Sequence, residues 1–150
     1  MVGRIGLTLR EIKDKFKHLV KSIVFTGEQP FDKIPYYLSA SDVLVLPMVD
    51  SNIEKARFPI RLGDYMASGR PIVSNAVGEV KYVIESEKCG LTCGPNDTEG
   101  FTDAILKVIR NRELQNKLGV QARKSAEEKY SWQNIVKRLD LVYKDVLGEK

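Results

Sequence analysis

Two arginines lie close together around the start of one predicted helix. Arg57 and Arg61 flank a proline that suits the first helical turn. Cations are unfavourable at a helix N-terminus, and a bound diphosphate would remove that conflict by accepting hydrogen bonds from both guanidinium groups. The alternative is that either arginine extends into solvent or pairs with Asp64, further along the same helix.

Asp64 is the candidate for contact with a sugar. Helical spacing puts it on the face away from Leu62 and Met66, which predicts that its carboxylate is exposed. An ionised carboxylate only accepts hydrogen bonds, and it therefore suits the hydroxyl groups of a sugar. The alternative is a surface acid that the helix dipole stabilises.

Two Gly-Glu pairs are further candidates for ligand contact. Gly78 and Glu79 open a predicted helix, and the glycine would let a ligand approach the backbone closely. Gly27 and Glu28 end a predicted strand, and we expect them to line the same crevice. Plain helix capping at the first pair and an ordinary turn at the second are the alternatives.

No complete catalytic set is present in the sequence. A single histidine, His18, is too little for a Ser-His-Asp arrangement, and the glycine-rich phosphate loops of known type are missing. Cys89 and Cys93 are the only cysteines, too few for a zinc site, and we expect them to act as small buried apolar residues. The sequence therefore predicts no metal site, and it identifies no catalytic residue.

Composition describes a chain with room for one domain and a real core. The 150 residues include 43% hydrophobic and 29% charged residues. No apolar run approaches the roughly 20 residues of a membrane span, so we expect a cytoplasmic chain. The net charge of +4 fits a lysine-rich surface, or a mild attraction to anionic ligands or an anionic membrane surface. Basic residues are not interleaved with aromatics, which argues against nucleic acid as a partner.

Alternating strands and helices predict a Rossmann-like parallel α/β sheet of about four strands with a helical C-terminal tail. A sheet of this type usually has more strands, and the first residues resemble the end of a strand. We therefore expect residues 1–150 to form a single domain that is truncated at its N-terminus. The strands are predicted at 22–26, 43–47, 71–74 and 90–93, and the helices at 8–20, 31–40, 59–69, 79–86 and beyond 98.

Several motifs, in this order and spacing, resemble the C-terminal half of a glycosyltransferase family 4 (group 1) enzyme of the retaining GT-B class. The resemblance runs from Ile23 to Tyr143. The motifs are VFTG, the AxDVxVLP pattern of Ala40–Pro47, FPIRLGDYMASGRPIV, Val77–Glu79, Gly90–Leu91 and Tyr130–Trp132.

The resemblance implies roles for individual residues. Asp64 takes the place of the second acid of a Glu-x7-Glu motif, which usually contacts the ribose, while Ala56 stands where the first acid is expected and Glu54 lies two residues early. Phe58 and the proline after it are similar to a Phe-Gly step, Arg61 falls at a position that is often basic, and the loop at Gly27 would lie near the base.

By resemblance, the chain is the nucleotide-sugar-binding domain of a retaining glycosyltransferase. It would take a nucleotide diphosphate sugar as donor substrate, without a cofactor, and would need a separate acceptor-binding domain or subunit. Because such catalysis takes place in a cleft between two domains, we expect this chain alone to be a poor catalyst. The alternative is a non-catalytic nucleotide- or protein-binding remnant, and an unpaired sheet edge would then favour a homodimer. The base, the sugar and the acceptor are not identified.

Overall fold

The computed structural model describes residues 16–148, apart from the side chain of Val20. The chain divides into two compact units, residues 1–37 and 38–150. Because the described residues begin at 16, most of the helix predicted at 8–20 lies outside them.

The described part of the first unit has no strand at 22–26, so that prediction is wrong. A 3₁₀ turn covers Val20–Ser22, and residues 23–26 are irregular. The side-chain amide of Gln29 donates to the carbonyl of Thr26 at 2.6 Å, a local bond of the kind found in loops. A second 3₁₀ turn, Phe31–Lys33, leads into helix α1, Ile34–Ser39, which crosses the boundary between the units.

The second unit contains a parallel sheet of three strands in the order β1-β2-β3. The strands are Leu44–Leu46 (β1), Ile72–Asn75 (β2) and Gly90–Cys93 (β3). Leu44 is paired with Ile72, and Ile72 with Gly90, so the three carboxyl ends lie at one edge. Three of the predicted strands are confirmed, and the predicted count of about four becomes three within the described residues.

After β1 the described chain contains six helices, and four of them begin at a side-chain cap. Ser51, Asp97, Asn111 and Ser131 each accept a hydrogen bond from a backbone N–H of the first turn that follows, which satisfies an orphan donor. The helices are Asn52–Ala56 (α2), Ile60–Ala67 (α3), Gly78–Glu87 (α4), Thr98–Ile109 (α5), Arg112–Glu128 (α6) and Trp132–Leu147 (α7).

Apolar side chains pack on both faces of the sheet, as parallel sheets require. One core cluster joins β1 and β2 to α3, α4 and α6, with Leu62, Met66 and Ile84 fully buried. The second joins β2 to α5 and α6 through Val73, Val108 and Leu118. These clusters fix α3 against the sheet and leave its opposite face open.

Helix α7 is different, because none of its 16 residues is buried. It nevertheless has exposed apolar side chains at Ile135, Leu139 and Val142. Among the described residues, no helix combines the length and the apolar character that a membrane crossing needs.

Candidate functional site

The carboxyl edge of the sheet is closed by side chains of β2. The backbone N–H of Met48 donates to Asn75 Oδ1 at 3.1 Å, and Asn75 Nδ2 donates to the carbonyl of Gly94 at 3.2 Å. The neighbouring Ser74 hydroxyl donates to the carbonyl of Leu46 at 2.6 Å. These bonds join the chain leaving β1 to the chain leaving β3, so the edge is set by a buried polar network.

The loop after β1 contains a short helix that the periodicity analysis missed. Helix α2 begins after Ser51, whose hydroxyl accepts from the N–H of Glu54 at 3.2 Å. The spacing Ser-x-x-Glu is typical of a helix N-terminus, and this signal was readable in the sequence. The segment places Glu54 and Arg57 on one short turn of chain.

Arg57 pairs with Glu54 rather than with Asp64. The guanidinium and the carboxylate are 2.7 Å apart, with side-chain exposures of 46% and 19%. The sequence left open whether Arg57 extends into solvent or pairs with Asp64. Its partner is instead Glu54, three residues earlier in the chain on α2. The contact uses the Nη2 nitrogen of Arg57, so the guanidinium keeps further N–H donors for a second acceptor.

Arg61 is exposed in the first turn of α3, and that turn contains no acidic residue. Pro59 is the N-cap of the helix, and its buried ring fixes the entry angle. A cation at this end of a helix is left without compensation from its own turn. The unfavourable position of a cation at a helix N-terminus, inferred from the sequence for both arginines, is therefore present at Arg61 and not at Arg57, which pairs with Glu54.

Asp64 is exposed on α3, on the face opposite to the buried Leu62 and Met66, as predicted. It lines an open groove of about 430 Å³ between α3, the end of α6 and the start of α7. The other lining residues include Phe58, Arg123, Glu127, Tyr130 and Trp132. The groove therefore combines carboxylates with aromatic surface.

Phe58, predicted as a ligand contact, is stacked on Tyr130. The ring centroids are 6.4 Å apart with an angle of 10° between the planes. Phe58 remains 44% exposed, so one part of its surface borders the groove. The stacking fixes the chain just before α3 to the turn between α6 and α7.

Gly78 adopts a φ of +51°, and the backbone of Lys55 lies close to its Cα atom. A Cβ atom added here would lie 2.7 Å from the carbonyl oxygen of Lys55 in α2. The close approach expected of a ligand is thus made by α2. Glu79 is exposed in the first turn of α4, where an acid is favourable.

Gly27 and Glu28 belong to the first unit. Gly27 has a φ of +68°, a turn conformation that favours glycine, and Glu28 is exposed. Their place in one crevice with Asp64 remains a prediction.

An ion pair that the sequence analysis did not identify joins the buried Glu87, at the end of α4, to Lys129, an exposed residue directly after α6. The carboxylate of Glu87 accepts from the Ser125 hydroxyl at 2.8 Å and from Lys129 Nζ at 2.8 and 2.9 Å. Burial opposes ionisation of Glu87, but the hydrogen bonds from Lys129 and Ser125 outweigh it and lower the pKa of the carboxyl.

Cys89 is buried, as predicted, whereas Cys93 is only partly buried and its thiol lies 3.7 Å from the carbonyl oxygen of Ser74. Burial raises the pKa of Cys89 to about 12, and burial with the nearby Asp97 raises the pKa of Cys93. Among residues 16–148, no group of three or more histidine, cysteine or acidic side chains could hold a metal ion.

Comparisons with known proteins give a consistent result. A family model described as "Glycosyl transferases group 1" matches residues 1–111. The chain is 31% identical over 132 residues to N-acetyl-alpha-D-glucosaminyl L-malate synthase of Bacillus anthracis. The aligned region covers 88% of this chain and 33% of that protein. It is 30% identical over 122 residues to an uncharacterized glycosyltransferase of Methanocaldococcus jannaschii, 81% of this chain and 30% of the relative. The chain thus spans about a third of the length of these curated relatives.

Solved structures share the fold. Sucrose-phosphate synthase from Thermosynechococcus elongatus superposes with a TM-score of 0.82 at 20% identity, over 99% of this chain and 38% of that one. Anabaena HepE, solved in complex with UDP-glucose, superposes with a TM-score of 0.75 at 16% identity, over 96% of this chain and 40% of that one. The neighbours are GT-B glycosyltransferases, which confirms the predicted fold class.

Proposed function

The chain belongs to the group 1 glycosyl transferases, and from this premise we propose that it forms the donor side of a retaining glycosyltransferase. In this proposal, residues 1–150 bind a nucleotide diphosphate sugar in a single domain. Sugar transfer takes place when an acceptor-binding domain or subunit closes the opposite side of the cleft, because positioning and charge stabilisation need both walls.

The observation that carries the proposal is the position of Asp64. Its exposed carboxylate lies one turn into α3, the longer of the two helices between β1 and β2. The N-terminal part of such a helix follows from the carboxyl end of a strand, the side on which open α/β sheets bind ligands. The carboxylate would accept hydrogen bonds from the ribose hydroxyls. Arg61, in a first turn that contains no acid, would face the diphosphate, which would compensate its unfavourable position at the helix N-terminus.

The remaining candidates take secondary roles in the proposal. Arg57 is held by Glu54 in the free chain, and the diphosphate would share or replace that carboxylate. Phe58 would border the bound nucleotide with its exposed part, while Gly78 and Glu79 would supply backbone N–H groups at the start of α4. Gly27 and Glu28 would lie near the base. No cofactor is part of the proposal.

The alternative, a nucleotide- or protein-binding remnant, is favoured by one observation. Helix α7 exposes an apolar stripe along its whole described length. Such a stripe suits a protein surface, whether this is an acceptor-binding domain, another subunit or a second copy of the chain. Under this alternative the chain would bind its partner without sugar transfer.

Titration calorimetry of the chain with UDP, GDP, ADP and UDP-glucose at fixed salt tests the proposal. We expect saturable binding of one nucleotide, and Asp64→Asn should weaken it roughly 10- to 150-fold, the value of hydrogen bonds to a charged group. Asp103→Asn, at an exposed acid on α5, is the matched control and should leave the affinity unchanged. Absence of binding by all four ligands, or equal effects of the two variants, would contradict the assignment.

The stereochemical part of the proposal needs an acceptor domain. When the chain is combined with one, the anomeric configuration of the product, read by NMR, should match that of the donor. An inverted product would reject the retaining mechanism and leave donor binding intact.

A further inference from the structure

Asn75, at the end of β2, holds the loop that leads to the candidate donor site. Its side chain is buried, with 7% exposure, and both ends of its amide are used. The oxygen accepts from the N–H of Met48, two residues beyond β1, and the nitrogen donates to the carbonyl of Gly94 beyond β3. The start of the loop is thus attached to the sheet at one point.

Gly78 supports the same loop at a second point. Its missing side chain leaves space for the backbone of Lys55, whose oxygen and Cα would lie 2.7 and 2.8 Å from an added Cβ. Real Cβ atoms do not approach backbone this closely, so any side chain here would displace α2. The φ of +51° adds a separate cost for any residue other than glycine.

Helix α2 has little else to fix it. It has five residues, none of them buried, and its side-chain contacts are local ones, the Ser51 cap and the ion pairs Lys55–Asp50 and Glu54–Arg57. Isolated helices of this length are not stable, so contacts with other elements decide its position. The helix ends one residue before Arg57, and the chain then passes through Phe58 into α3.

We propose that Asn75 and Gly78 are positioning residues that hold α2, and with it Arg57 and Phe58, in place for donor binding. The effect on donor binding rests on the proposed function. The attachment of α2 rests only on the contacts of Asn75 and Gly78. It also changes the role of Gly78: the glycine acts on the site through α2 and need not touch the ligand.

Two measurements on matched variants test it. Gly78→Ala is compared with Gly69→Ala, a second left-handed glycine with a φ of +68° at the end of α3. At Gly69 the added Cβ meets its nearest atom at 3.5 Å, an ordinary contact, so this variant has the backbone strain without the clash. Asn75→Ala is the second test variant, and Ser125→Ala, which also removes a buried hydrogen bond, is its control.

Hydrogen exchange of the peptide covering residues 49–58 reports the position of α2 without any ligand. We expect its protection to fall by roughly tenfold or more in Gly78→Ala and Asn75→Ala, but not in the two controls. Equal protection in test and control variants would overturn the inference. If Gly78→Ala does not fold, the Asn75→Ala comparison decides.

The affinity for UDP, measured by calorimetry well below the unfolding temperature, reports the functional consequence. We expect roughly a tenfold loss in both test variants and less than a twofold change in the controls. Lost protection with unchanged UDP affinity would refute the role in donor binding. Failure of the unsubstituted chain to bind any nucleotide would refute the proposed function, while lost protection in the test variants would still support the attachment of α2.

Discussion

Removal of the Ser125 hydroxyl tests the hydrogen bonds that hold the buried Glu87 carboxylate between α4 and α6. Ser125 is 1% exposed, and it donates to Glu87 at 2.8 Å. Hydrogen bonds to charged groups contribute about 1.5–3 kcal/mol. Lys129 still contacts both carboxylate oxygens after the change, so we expect Ser125→Ala to lower the free energy of unfolding by about 1.5 kcal/mol, near the lower limit.

The effect should depend on pH with a defined sign. The pKa of Glu87 is lowered in the folded chain, so its bonds stabilise the fold above the unfolded-state value of about 4.3. This stabilisation is lost as the pH falls through the lower, folded-state pKa. Because the variant loses one of the bonds that lower this pKa, the stability difference between the two proteins should shrink on acidification.

Urea unfolding at pH 7 and at several lower values measures both quantities. The control is Ser86→Ala on the exposed side of α4, whose hydroxyl makes only a 3.5 Å contact with its own helix, and it should change stability by less than about 0.5 kcal/mol. A Ser125→Ala effect equal to that of the control, or a difference that grows as the pH falls, would refute the reasoning.

Two further predictions concern single side chains. Phe58→Leu removes the stacking on Tyr130, so it should lower the free energy of unfolding, measured in urea, by about 0.5–1.5 kcal/mol. A change within the error of the measurement would show that the stacking contributes nothing. Cys89, fully buried with a pKa raised to about 12, should resist thiol reagents at pH 8 until urea unfolds the chain, and reaction at the rate of a free thiol would contradict its burial.

Local sequence patterns determined much of the second unit. The strand Gly90–Cys93 was predicted with its observed bounds, and the exposed position of Asp64 followed from helical spacing alone. Helix α2 was missed by periodicity, but its Ser51-x-x-Glu54 cap was readable. These features depend on residues within one or two turns of each other, so the sequence itself contains the information.

Tertiary structure decided the contacts between distant residues. A run such as residues 22–26 permits a strand, but its place in a sheet depends on partners elsewhere in the chain, and here residues 23–26 are irregular. The backbone of Lys55 against Gly78, the ring of Tyr130 against Phe58, and Lys129 beside Glu87 all join residues more than 20 positions apart. Propensity and periodicity describe each element separately, whereas these contacts exist only once the elements pack together. For this reason the candidate residues could be predicted from the sequence, but their neighbours are seen only in the fold.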